Sequence, residues 1–242
     1  MSDESALMID DDGPIRHLRF NRPDKLNALD LDQHDRIMSA LIDADADPTV
    51  RVVALSGEGR AYCAGDDLGG RPDTKPAFLD GRRVDLDVGI GPALLLESCA
   101  VLRRLSKPTV VLMHGHALGS GYDYSLSCDF RLATHGVNYG DPRMNLALWA
   151  AEGWSWKLPR QVHQSAVTPI AYLGQTMSGQ EAFDVGLVHR IYEDGVDLRE
   201  SAADFLTALS RLDGAAYRRT KQMMLEAQDA SFEQSLRLAQ SA

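Results

Sequence analysis

Three cysteines in 242 residues, Cys63, Cys99 and Cys128, are too few and too widely spaced to indicate a disulfide framework. They form no Cys-x-x-Cys, so a cysteine zinc site is not indicated either, and a reducing, cytoplasmic setting is expected. No apolar run approaches the roughly 18 residues of a membrane span, and the acidic start Met1-Ser2-Asp3-Glu4-Ser5 is not followed by the apolar segment of a secretory leader. Basic side chains are scarce: Lys+Arg 25 against Asp+Glu 35 gives a net charge of −10. That balance argues against a nucleic-acid backbone or an anionic lipid surface as the main partner. Gly 20 and Pro 10 are too few for a collagen-like or low-complexity chain. What is present is globular in character, 44% hydrophobic and 25% charged, and at about 150 residues per domain the length suits one large domain, with or without an appendage.

Two short apolar runs from Leu7 to Phe20 flank Asp10-Asp11-Asp12-Gly13-Pro14, which predicts a hairpin. Asp30 is placed to cap a helix with the apolar face Leu31, Ile37, Met38, Leu41 and Ile42, ending before Asp47-Pro48. Val50 to Leu55 and Thr109 to Met113 read as buried strands. Between them Gly57, Gly59, Gly65, Gly69 and Gly70 mark a long surface loop, and a helix from about Pro92 to Leu105 stops at Lys107-Pro108. A short helix starting near Ser120, a strand Phe130 to Ala133 and a last strand Leu187 to Ile191 continue an α/β alternation. Beyond a boundary near Gly195 the chain reads as helical, over Leu198–Leu209, Ala215–Ala227 and Phe232–Ala239. Residues 1–195 are thus expected to form a core and 196–242 a helical region.

The stretch His114-Gly115-His116-Ala117-Leu118-Gly119-Ser120-Gly121 puts glycines between a buried strand and a helix start, where a ligand can approach the backbone closely. Neither a dinucleotide fingerprint nor a P-loop has this order. A nucleophile elbow centred on Ser120 would need glycines where Leu118 and Tyr122 stand. His114 and His116 share a strand face, but no third ligand follows at metal-site spacing, so packing or hydrogen bonding is expected of them. A second glycine-interrupted stretch, Gly57 to Leu68, would by itself be a surface turn.

Taken together, the two stretches resemble the paired signature of the crotonase superfamily, which includes enoyl-CoA hydratases and isomerases. Asn21-Arg22-Pro23-Asp24-Lys25-Leu26-Asn27-Ala28-Leu29 is similar to that family's entry motif, and Tyr62-Cys63-Ala64-Gly65-Asp66-Asp67-Leu68 to its first oxyanion loop. Lys107-Pro108 through Asp129 resembles the second loop, and Gly186-Leu187-Val188 follows in the family's order. The resemblance runs from about Leu7 to the C-terminus. It implies a crotonase-type spiral of strand-strand-helix units followed by a C-terminal helical oligomerisation region, assembled as a homotrimer or a dimer of trimers. It also implies an acyl-CoA substrate whose thioester oxygen lies between the backbone N–H groups of Asp66 and Ser120, stabilising an enolate. Coenzyme A would enter as part of the substrate, with no separate cofactor or metal, and would run along Lys25, Leu26, Ala64, Asp67 and Leu68, with Lys25 near phosphate. A donor at a helix N-terminus, as at Ser120, suits developing negative charge.

Several positions depart from the family pattern. Asp66 stands where a small residue is usual, so its carboxylate must point away from the enolate. A family hydratase uses two glutamates about twenty residues apart, and the matching positions here hold Asp123 and Arg143. A guanidinium stays protonated and cannot be a general base. The dyad is broken, which favours isomerisation by a single base over hydration. Glu152, in Ala151-Glu152-Gly153-Trp154, lies in the loop and helix start where some isomerases, dehalogenases and carbon–carbon hydrolases of the superfamily carry a working carboxylate, but one position beyond that of the isomerases and dehalogenases. Counted back from Pro159, it coincides with that of the diketone-cleaving branch. Trp149, Trp154 and Trp156 would desolvate it and raise its pKa; a glutamate in the first turn of a helix is the plain alternative. Two other readings stay open: a carbon–carbon bond hydrolase, and an acyl-CoA-binding protein without turnover in which Arg143 neutralises Asp123. Members of the family usually end in a further helix, basic and bearing an aromatic residue; the sequence stops shortly after Leu236-Arg237-Leu238-Ala239, so either that helix is lacking or the sequence ends before it.

Overall fold

The structure, a computed structural model, describes residues 6–67, 90–148 and 153–240. Strands β1 (Leu7–Asp12) and β2 (Ile15–Phe20) form the expected hairpin, turning at Gly13 with φ of 56°. Helix α1 (Leu31–Ala46) begins in a capping box: Asp30 accepts the Gln33 N–H, and the Gln33 side chain accepts the Asp30 N–H. Strand β3 (Val52–Gly57) follows, then α2 (Ile90–Arg104), β4 (Thr109–Met113), β5 (His116–Leu118), α3 (Ser120–Ser127), β6 (Phe130–Thr134) and β7 (Asn138–Gly140). The chain continues through α4 (Trp154–Lys157), α5 (Gln164–Leu173), β8 (Thr176–Met177), α6 (Gly179–Asp184) and β9 (Arg190–Tyr192). It ends in α7 (Leu198–Ser201), α8 (Ala203–Ser210), α9 (Gly214–Glu226) and α10 (Phe232–Gln240).

The main sheet has the order β1-β2-β3-β4-β6-β9, parallel from β2 onward. Both faces are covered, which is why Val52-Val53-Ala54-Leu55 and Thr109 to Met113 are near-continuous apolar runs and not alternating ones. Leu18, Phe20, Leu55 and Val111 face one core, shared with Leu41 of α1, Leu102 of α2 and Tyr122 of α3. Ile15, Val52, Ala54, Val110, Leu112 and Leu132 face a second core, closed by Leu198, Leu206 and Leu209. Helix α9 is pinned to the sheet by Lys221 Nζ at 2.7 Å and the Tyr217 hydroxyl at 3.1 Å from Asp129 Oδ2.

Four expectations are corrected. Leu31 and Ile42, read on the apolar face of α1, are exposed, because the helix turns Gln33, His34, Ile37, Ala40, Leu41 and Ala44 inward. The last strand is Arg190–Tyr192 and not Leu187–Ile191, since Leu187 and Val188 are buried in the turn that leads into it. The helix read over Leu198–Leu209 is broken at Ala202, although its apolar spacing runs through the break. The glycine-marked stretch after β3 is not all surface: Ala61, Tyr62 and Cys63 are fully buried. The reason is a small second sheet, β5-β7-β8, to which Cys63 adds a bridge opposite Ala117. Among the described residues no helix is long and apolar enough to cross a membrane, and no group of three His, Cys, Asp or Glu side chains is placed to hold a metal.

Candidate active site

The loops around Asp66 and Ser120 are brought together by backbone. Cys63 N–H donates to the His116 carbonyl and Leu118 N–H to the Cys63 carbonyl, both at 2.9 Å. Beyond this ladder the chains meet at Gly65 and Gly119, with φ of +105° and +53°. A Cβ on Gly119 would lie 3.3 Å from Gly65 Cα, so the approach needs glycine on conformation and on space. On its other side Asp66 bridges Leu29: Leu29 N–H donates to the Gly65 carbonyl at 2.8 Å, and Asp67 N–H to the Leu29 carbonyl at 2.7 Å. Because both neighbours of Asp66 face Leu29 in this parallel pairing, the Asp66 N–H is directed away from it. Ser120 is the first residue of α3, where N–H groups have no acceptor within the helix. Every residue of α3 is buried, so its dipole acts where little water screens it.

Asp123, in the first turn of α3, is fully buried. Arg143 Nη2 donates to Asp123 Oδ2 at 2.8 Å. The same guanidinium grips Asp141 with two donors, Nε to Oδ1 at 2.7 Å and Nη2 to Oδ2 at 2.9 Å. Asp141 also caps the 3-10 turn Pro142–Leu146 by accepting the Arg143 N–H. The site therefore holds a buried carboxylate, guanidinium and carboxylate in series. Sequence reasoning did not single out Asp141; its signal was an Asp before Pro with Arg two residues on, which reads first as a cap. Glu152 and Trp149 lie outside the described residues. Trp154 packs on the apolar core, and Trp156 is covered by Arg103 and Arg160, whose guanidinium carbons are 5.0 and 4.0 Å from the ring centroid.

The Asp66 carboxylate is turned toward α1, with Oδ1 3.2 Å from Nε2 of buried His34. His34 Nδ1 is 2.9 Å from the Tyr124 hydroxyl. Burial holds the Tyr124 phenol well above its ordinary pKa, so it keeps its proton. His34 was invisible in the sequence as a site residue, being 32 positions from Asp66 on an amphipathic helix.

Lys25, Leu26, Ala64 and Asp67 come together. Ala64 N–H donates to the Leu26 carbonyl at 3.0 Å, and Asp67 Oδ2 accepts from Lys25 Nζ at 2.7 Å and Arg22 Nη2 at 2.8 Å. The turn carrying Lys25 is held by Asn27, which with Leu26 has positive φ. Buried Asn27 accepts the Arg22 N–H and donates to the carbonyls of Glu58 and Ala61. Leu68 lies outside the described residues. Of the two histidines weighed as metal ligands, His114 Nε2 contacts the Gly59 carbonyl at 3.0 Å and His116 Nδ1 the Asn138 amide at 3.5 Å.

A spiral of strand-strand-helix units, with two glycine loops meeting at a buried helix N-terminus, defines the crotonase class of folds. The solved structure of Pseudomonas aeruginosa PA4980 superimposes with a TM-score of 0.87 at 31% identity, covering 100% of both chains. An enoyl-CoA hydratase from Bacillus anthracis shares the fold at TM-score 0.87 and 24% identity, over 98% of this chain and 88% of its own. Among curated proteins, the peroxisomal Delta(3,5)-Delta(2,4)-dienoyl-CoA isomerase of Arabidopsis thaliana is 28% identical over 93% of this chain and 82% of its own. The probable enoyl-CoA hydratase echA8 of Mycobacterium tuberculosis is 28% identical over 96% and 84%. The model of the enoyl-CoA hydratase/isomerase family matches residues 11–241, and the chain belongs to that family as an acyl-CoA enzyme.

Proposed function

We propose that this enzyme moves a proton on an acyl-CoA thioester through an enolate held by the N–H groups of Asp66 and Ser120, isomerising a double bond and not adding water. The observation that carries this reading is Arg143, which stands where a hydratase would keep its second carboxylate and is bound to Asp123. Activating one water by two carboxylates needs two acceptors, whereas a guanidinium only donates. A single base suffices to carry a proton from one carbon to another. Asp123 and Glu152 are the candidate bases. The isomerase among the relatives supports the ranking, although others are named hydratases. Coenzyme A is proposed to run along Lys25, Leu26, Ala64, Asp67 and Leu68. The Lys25–Asp67 contact involves a half-exposed ammonium, so exchanging it for a phosphate costs little. The test is side-by-side turnover of a 3-enoyl-CoA and of crotonyl-CoA. Isomerisation without appreciable hydration is expected, and hydration at the faster rate would refute the ranking.

The Asp123–Arg143 pair also favours a second reading, acyl-CoA binding without turnover, since a carboxylate held in an ion pair is a poor base. Tight binding by calorimetry with no product from any enoyl-CoA would support it. We further propose that the terminal helices pack on other copies, because Phe232 and Leu236 of α10 are 72% and 49% exposed; the family resemblance implies three copies or two sets of three. A monomeric mass by light scattering would exclude this.

A further inference from the structure

We infer that His34 is a positioning residue that couples the two halves of the oxyanion site, by linking the carboxylate of Asp66 to Tyr124 on the helix that begins at Ser120. The inference rests on the oxyanion reading above and extends it to a residue on a third element. An ionised carboxylate only accepts, so the His34 Nε2–H donates to Asp66 Oδ1, at 3.2 Å. On the other side of the ring, Nδ1 and the Tyr124 hydroxyl are hydrogen-bonded at 2.9 Å. The ring also lies against that of Tyr124, with centroids 5.9 Å apart and planes at 22°.

This chain reaches where the backbone ladder does not. The last ladder bonds between the loops are at Cys63 and Leu118, whereas the two donors lie beyond it, at Asp66 and Ser120. At Gly65 and Gly119 the backbone has little intrinsic stiffness. The bridge to Leu29 fixes Asp66 on the side of the entry motif. Cys63 Sγ, which accepts the Gly65 N–H at 3.4 Å and lies against Gly121, ties the two loops from below; the Asp66–His34–Tyr124 link adds a second constraint, from the side of α1, that acts on the Asp66 side chain itself. Its anchor is rigid: His34 is 2% exposed in the first turn of a capped helix, and its carbonyl accepts a hydrogen bond from Ser98 of α2. The same link turns the Asp66 carboxylate away from the negative charge an enolate would develop, which makes an acidic side chain compatible with a backbone donor at that position.

The test uses cinnamoyl-CoA, whose conjugated thioester absorbs at longer wavelength when its carbonyl is polarised, together with exchange of the C2 hydrogens of butyryl-CoA in heavy water. The wild type is expected to shift the absorbance and to catalyse exchange. His34→Ala is expected to diminish the shift and slow exchange by about 10- to 100-fold, the scale of a misplacement near 1 Å. Affinity for free coenzyme A should not change. His34→Gln, which keeps a donor toward Asp66, should recover part of both signals. Should His34→Ala fail to fold, Tyr124→Phe, which removes one hydroxyl, carries the same expectation. A lower melting temperature with shift and exchange intact would overturn the inference and leave the oxyanion reading standing. A wild type showing neither signal would overturn both.

Discussion

Arg143 is only 8% exposed and lies between two carboxylates, Asp123 and Asp141, so its charge is structural as well as chemical. Removing one member of a buried ion pair leaves charge uncompensated and typically costs about 3 to 5 kcal/mol. Arg143→Ala should therefore lower stability by about that amount in denaturant titrations, and a loss below about 1 kcal/mol, the scale of an exposed pair, would show the network to be solvated. The direct exchange Arg143→Glu would gather three acids. A fair attempt to restore a hydratase dyad is Arg143→Glu with Asp141→Asn, read as gain of crotonyl-CoA hydration. At this scale the sequence was partly legible. Asp123, Arg143, Asp66 and Ser120 could be named as candidates because each stands in a stretch that resembles a motif of the family. His34 and Asp141 could not, since their partners are distant in the chain or their local pattern is that of an ordinary helix residue or cap.

Among the elements, the entry turn shows how little chain is needed to place a binding surface. Asn27 is fully buried and its amide makes three hydrogen bonds that hold Leu26 and Lys25 in position. Leaving buried groups unsatisfied costs about 1 to 3 kcal/mol each, so Asn27→Ala should lower the denaturation midpoint and weaken coenzyme A binding together. Binding lost at unchanged stability would contradict this. Gly65→Ala, forced to φ near +105° with its Cβ 3.3 Å from the Leu118 carbonyl, should slow turnover more than it lowers stability, as read by kcat and melting temperature. The hairpin, the α1 cap and strands β3, β4 and β6 were legible because apolar runs and turn chemistry are local. Strands β5, β7 and β8 were not, because two or three residues carry no period. Yet β5 is what draws the first loop inward.

For the whole molecule, burial sets the response to acid. His17, 3% exposed, is held below the ordinary histidine pKa by loss of hydration and then by Arg199. His189 is pushed down to about 4 by loss of hydration and by Arg131. Both take up protons more readily when unfolded, near pH 6.5, so stability falls as pH drops from about 6.5 toward the folded values. Asp47, drawn down to about 2 by hydrogen bonds from Thr49 and then Arg16, adds a further loss only below about pH 4. The melting temperature should accordingly decline between pH 7 and 5, and His17→Leu should flatten that slope; an unchanged slope would reject the assignment. Two backbone donors and one base acting on a thioester should together labilise the C2 hydrogens, and the exchange of those hydrogens tests the proposed site most directly. In heavy water the wild type should place deuterium at C2 of butyryl-CoA. Either Asp123→Asn or Glu152→Gln should slow the exchange by about 10²- to 10⁴-fold while coenzyme A still binds. No deuterium in the wild type, or an exchange rate that neither substitution alters, would contradict the account.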